Sequence, residues 1–225
     1  VHQAGEREDQ EDAHAQEHVG LEDPARPAQQ FDRAAAQRAI DDAVLRVEND
    51  LPLARRALLP TVGDELQGVY DRLDDAMASL LLLRLALPDG VECRYGLGVG
   101  ALGEVPSRAG ALAEGPGWWA ARDAVDHVHA LQARSIPAAR TWIVAAGADD
   151  EPVALANAYL LARDQIVGGM TARTRRLAYG RLLGRTQADL AREERITQSA
   201  VSQALASAGV DALAEGFRAL QRTAD

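Results

Sequence analysis

Lysine is absent from this 225-residue chain, so its positive charge rests on arginine. We read that as the base composition of a GC-rich genome, not as mechanism. A single cysteine, Cys93, excludes an intrachain disulfide and suits a reducing cytoplasm. Aromatic residues make up only 4% of the chain, so a core has to be built mainly from Ala, Leu and Val. No apolar run approaches the ~20 residues needed to cross a bilayer. The run Leu80–Leu83 soon meets Arg84, and no membrane partner is expected. There is neither an initiating Met nor a basic region followed by an apolar core, so no ordinary secretory signal is expected and a cytoplasmic location is the expectation.

The net charge of −10 argues against nucleic-acid binding over the whole surface, since phosphate repels an acidic protein. The charge is unevenly placed. Residues 1–50 are net −8 and residues 51–170 net −5, whereas residues 171–225 carry nine Arg against six acids, net +3. Only this last segment is fitted to approach DNA.

Residues 1–30 are acidic and Gln-rich with hardly a bulky apolar side chain, the composition of a disordered tail. His14 and His18 have the spacing of two metal ligands on one helix face, but no Cys or third His lies nearby, and a solvated tail is the reading. From Asp32 the pattern turns helical, with Ile40, Val44 and Val47 in phase. The stretches "RALLP" and "LQGVY" then flank Thr61–Glu65 as a short hairpin. "LDDAMASLLLLRLAL" reads as a second helix stopped by Pro88 and Gly90. "VECRYGLGVG" reads as a strand ending in a tight turn, "WWAARDAVDHVHALQ" as a third helix, and "RTWIVAAG" as a further strand. With one strand missing at the front, this order describes a βαββαβ, ferredoxin-like sheet with helices on one face, an α+β fold. After "GADDEP" the chain is wholly helical, and Leu155, Tyr159 and Ile166 mark one side of a helix that links or dimerises. Three segments are therefore expected: a tail over 1–30, an α/β domain over 31–150, and a helical domain over 151–225.

Within the last segment, residues 185–208 read as a helix-turn-helix. Thr186 and Thr197 are positioned to cap two short helices, and Asp189 favours the positive end of the first. Ile196 and Val201 stand at the positions of a hydrophobic staple. Leu190 and Ala191 face inward from the first helix, and Val201, Ala204, Leu205 and Ala208 from the second. Gln198, Ser199, Ser202 and Gln203 are left facing out, where they could meet base edges in a major groove. Arg185, Gln187 and Thr197 complete the expected DNA-binding set, with Arg173, Arg175, Arg176 and Arg181 placed to hold phosphates. The alternative is an ordinary helical hairpin. Arg195 occupies the turn position where helix-turn-helix sequences usually carry Gly.

Three stretches, "TVGDELQGVY", "RYGLGVG" and "EGPGWWAARDA", together resemble the SatD family of bacterial proteins over residue 31 to the C-terminus. The resemblance implies a cyclase-like α/β domain followed by a helix-turn-helix, in a family whose biochemical activity is not established. More widely, the α/β part resembles nucleotidyl and diguanylate cyclases, in which acids on the first strand and at a Gly-Asp hairpin hold two Mg²⁺ on a nucleoside triphosphate. By that analogy Asp64 and Glu65 would be metal ligands, Trp118 and Arg122 would face a nucleotide, and Mg²⁺ with a nucleotide would be the cofactors. The chain departs from this pattern twice. Residues 1–30 contain no strand bearing the other Asp, and Trp118 stands where the cyclases have Asn.

"GLGVG" at Gly96–Gly100 lacks both the full dinucleotide fingerprint and the Lys-Ser/Thr of a P-loop, and is read as a strand end. His127 and His129 cannot share a helix face and are placed on the surface. No catalytic residue is assigned. The expectation is a transcriptional regulator that binds DNA as a homodimer, its α/β domain a degenerate sensor for a small molecule or nucleotide. An Mg²⁺-dependent nucleotide-binding or cyclase-like enzyme is the alternative.

Overall fold

A computed structural model describes residues 33–61, 65–107, 110–147 and 151–222. The chain from Asp32 onward forms one compact unit. The described part is mixed α and β, mostly helical. The tail over residues 1–30, with His14 and His18, lies outside the described residues.

Helix α1 (Arg33–Asp50) turns the in-phase Val44 and Val47 inward and leaves Leu45 exposed. Strands β1 (Arg56–Pro60) and β2 (Leu66–Val69) follow as an antiparallel hairpin with an irregular register between Arg56 and Leu59. Helix α2 (Leu73–Ala86) comes next. Asp74 and Asp75 in its first turn and Arg84 in its last complement the helix dipole. Every residue from Ala76 to Leu85 is buried. A helix apolar on all sides needs cover on all sides, and α2 finds it against α1, β3 (Tyr95–Val99), α5 (Ala172–Leu182) and α8 (Val210–Arg222).

Strand β3 runs parallel to β6 (Thr141–Ala145), Tyr95 opposite Thr141 and Val99 opposite Ala145. Between them lie a second antiparallel hairpin, β4 (Gly103–Ser107) and β5 (Gly110–Glu114), and helix α3 (Pro116–Arg134). The sequence expectation had no place for that hairpin. Among the described residues the strands form three two-stranded ladders, and none joins β1–β2 to β3–β6.

The glycines of "GLGVG" serve the contact between α3 and β3. A Cβ on Gly96 would lie 2.2 Å from the Ala121 carbonyl oxygen, and one on Gly98 only 1.9 Å from that of Gly117. The α3 backbone thus rests directly on the strand, with no side-chain layer between them. Gly117 is held in turn against Gly100, where a Cβ would approach the carbonyl oxygen to 2.8 Å. Pro116 then opens α3 at a position where its missing N–H is not needed.

Helix α4 (Glu151–Gly168) packs on the other side of β6. Its buried Asn157 accepts from the Ile143 N–H at 2.8 Å and donates to the Ile143 carbonyl at 2.9 Å, substituting for a neighbouring strand. Helices α5, α6 (Gln187–Glu194), α7 (Gln198–Ser207) and α8 complete the chain. A continuous core runs from Val44 and Val47 through Leu81 and Leu82 to Leu177, Leu190, Val201, Leu205 and Phe217.

Candidate nucleic-acid interface

The α6–α7 pair is built from its ends. The Thr186 hydroxyl accepts from the Asp189 N–H at 3.1 Å, and the Thr197 hydroxyl accepts from the Ala200 N–H at 3.1 Å. Each cap satisfies one of the backbone donors a helix leaves free at its start. Between the helices Arg195 takes the left-handed conformation, φ 55° and ψ 45°. That turn lets the Ile196 N–H reach back to the Ala191 carbonyl at 3.0 Å, the closure usually made with glycine. Leu190, Ala191, Val201 and Leu205 are buried, while Ala204 and Ala208 are half-buried against the same core.

This packing fixes the outer face. Thr197, Gln198, Ser199, Ser202 and Gln203 are exposed, and Arg185 and Gln187 half-buried. Helix α7 contains no ionisable side chain.

The arginines around it are engaged with carboxylates. Arg176 donates to both oxygens of Glu194, at 2.6 and 2.7 Å, and Arg173 approaches the same group at 3.8 Å. Arg185 meets Glu193 at 2.9 Å, Arg181 meets Asp211 at 3.9 Å, and Arg192 meets Asp189 at 3.0 Å. Arg175 turns away, donating to the Met170 and Leu87 carbonyls and to Asp89. The Arg176 guanidinium holds the Glu194 carboxyl below its usual range. The Thr186 hydroxyl, and after it Arg192, does the same for Asp189. The sequence places Arg173, Arg175, Arg176, Arg181 and Arg185 near these helices, whereas their partners are set by the tertiary fold. Arg195 is exposed at the turn, and its side chain makes no hydrogen bond or ion pair among the described residues.

The second candidate site lies at the hairpin tip. Asp64 is outside the described residues. Glu65 closes the loop through its carbonyl, which accepts from the Thr61 N–H at 2.9 Å. Its carboxylate receives Arg122 Nη2 at 3.0 Å on each oxygen. The structure therefore brings the expected metal ligand onto the expected nucleotide contact, as an exposed ion pair contributing about 0–1 kcal/mol. Trp118, one turn before Arg122 on α3, is half-buried, and Trp119 is exposed. Among the described residues no group of three or more His, Cys, Asp or Glu could hold a metal ion. His127 and His129 are exposed, and the His127 ring stacks on Trp142 at 4.3 Å.

The arrangement defines a class: a mixed α/β chain, mostly helical, carrying a capped pair of short helices whose outer face is polar and uncharged. No described helix is long and apolar enough to cross a membrane. The model of the SatD family matches residues 28–219, and the chain belongs to that family. Comparison with curated proteins and with solved structures gives no match.

Proposed function

We propose that this chain is a DNA-binding regulator in which α6 and α7 act as a helix-turn-helix and α7 enters the major groove. The observation that carries the reading is the outer face of α7. Gln198, Ser199, Ser202 and Gln203 are exposed together, while Val201 and Leu205 lock the helix to the core. Gln can donate and accept against adenine, and Ser can bond either a base edge or a phosphate. Arg185, Gln187 and Thr197 lie beside that face, and Arg195 stands at the turn before it. A homodimer reading two half-sites accompanies the proposal, because one helix in one groove buries too little surface for strong specificity.

The part before residue 150 is read as a degenerate cyclase-like sensor on a ferredoxin-like plan. Its support is the order of elements, α1, the β1–β2 hairpin, α2, β3, α3 and β6, with β3 parallel to β6 and the β4–β5 hairpin inserted between β3 and α3. The second reading, an Mg²⁺-dependent nucleotide site at Asp64, is favoured by the meeting of Glu65 and Arg122 at the hairpin. It predicts Mg²⁺-dependent nucleotide binding that Asp64→Asn removes.

The test is retention of fragmented genomic DNA by the full chain at two salt concentrations, with sequencing of what is kept. A palindromic site retained at the higher salt, and lost in the double variant Gln198→Ala/Gln203→Ala, is the expected result. Unchanged affinity and sequence preference in that variant would refute the assignment of α7.

A further inference from the structure

Away from both sites, a cavity of about 140 Å³ lies where the end of α2, the start of β3 and the first turn of α5 converge. Its lining includes Arg84, Cys93, Tyr95, Arg140, Gly168 and Arg175. Arg84 belongs to a buried ionic cluster whose charges do not balance. Arg84 Nη1 donates to Asp164 Oδ1 at 2.5 Å and Nη2 to the Asp164 carbonyl at 3.1 Å. The fully buried Arg163 donates to the same Oδ1 at 3.0 Å through Nη2. The other oxygen, Oδ2, accepts the N–H groups of Arg140 at 2.6 Å and Thr141 at 2.7 Å.

Two guanidinium groups thus share one carboxylate whose oxygens are already engaged, and among the described residues no second carboxylate joins them. The cluster holds an excess of one positive charge where water is largely excluded, a costly arrangement unless something else neutralises it. Arg84 is the member that lines the cavity, and burial lowers its pKa. The Tyr95 hydroxyl is also buried beside the cluster, with the Cys93 thiol, a weak partner, next to it. Burial raises the Cys93 thiol, so it brings no negative charge.

We infer that this cavity binds a small oxyanion, a phosphate or carboxylate group, held by Arg84 with Arg140 and Arg175 at the rim. Two carboxylates, Asp89 and Glu92, also line the cavity, both at its exposed edge. Glu92, paired with Arg140, and Asp89, paired with Arg175, keep 68% and 71% of their side chains exposed. Either can swing into solvent and release its arginine to an incoming anion, for which the planar guanidinium is well suited. The volume admits a phosphate or a short carboxylic acid but not a whole nucleotide, whose pockets start at roughly 300 Å³. The site joins α2, the entry to β6 and α5, and α5 packs on α6 and α7. An anion there would tie the α/β part to the helices that carry α7. The inference does not depend on α7 reading DNA.

The test is thermal unfolding of the full chain in sodium phosphate and in sodium acetate, each against sodium chloride at equal pH and ionic strength. The expected result is a saturable rise of about 5–10 °C at one hundred times Kd with one of the two anions, which also identifies the group recognised. Arg175→Gln and Arg140→Gln, which leave the Arg84–Asp164–Arg163 contacts in place, should each weaken that binding at least tenfold. A rise matched by chloride for both anions, or binding unaltered in both variants, would overturn the assignment.

Discussion

Replacing Arg195 with Gly separates what the turn costs from what its side chain contributes. Arg195 is the only non-glycine residue at positive φ among the described residues. A Cβ in the left-handed region costs roughly 1–2 kcal/mol. Glycine returns roughly 0.5–1 kcal/mol of that through the greater freedom of the unfolded chain. No side-chain hydrogen bond or ion pair among the described residues is lost, so Arg195→Gly should stabilise the protein by about 0.5–1 kcal/mol, a rise in Tm of about 1–4 °C for a chain of this size. Arg195→Ala keeps the Cβ and should lie within about 0.5 kcal/mol of the parent. Urea titration and thermal unfolding of the three proteins measure this. A neutral or destabilising Gly variant, or an Ala variant as stable as the Gly variant, would refute the reasoning. If α7 enters DNA as proposed, the same Gly variant should bind more weakly, with a salt dependence shallower by about 0.9 in log–log slope for one lost phosphate contact.

Gly98→Ala places a methyl group 1.9 Å from the Gly117 carbonyl and should cost about 3 kcal/mol or more, visible as a fall in the urea midpoint or loss of soluble protein. Asp164→Asn removes the carboxylate shared by two buried guanidinium groups and should destabilise by about 3–5 kcal/mol in the same titration. Glu194 has a folded pKa held below its ordinary 4.5 by Arg176, so the stability it contributes is present above that value and disappears as pH falls through the lower, folded one. Thermal unfolding at successively lower pH below about 4.5 should therefore show a shallower decline for Glu194→Gln than for the parent.

Features carried by neighbouring residues were legible in the sequence. Thr186 and Thr197 announced two helix starts, and the spacing of Val201 and Leu205 announced the buried side of α7. The β1–β2 hairpin was marked by apolar runs on either side of a turn. Hairpin β4–β5 escaped because "GEVPS" and "GALAE" are rich in small residues and lack the alternation of a half-buried strand. The purpose of Gly96 and Gly98 was hidden for another reason: it depends on the α3 backbone, whose proximity no local pattern encodes. The same holds for charge. Arg84 and Asp164 stand 80 residues apart, and Arg176 and Glu194 stand 18 apart, so their pairing belongs to tertiary structure. The arginines around α7 therefore looked more available for phosphate than their carboxylate partners leave them.

The burial of α2 on every side bears on how the chain is made. Leu81, Leu82 and Leu85 emerge during synthesis with α1 already present, but much of their cover, from Leu177 to Phe217, belongs to the final helices. Until those arrive, a nascent chain holds an apolar helix half-wrapped, a state prone to association with its neighbours. A messenger truncated after residue 150, or a gene cut there to exchange one half for another, would leave that helix permanently without its lid. The segments on either side of residue 150 thus depend on each other for a closed core.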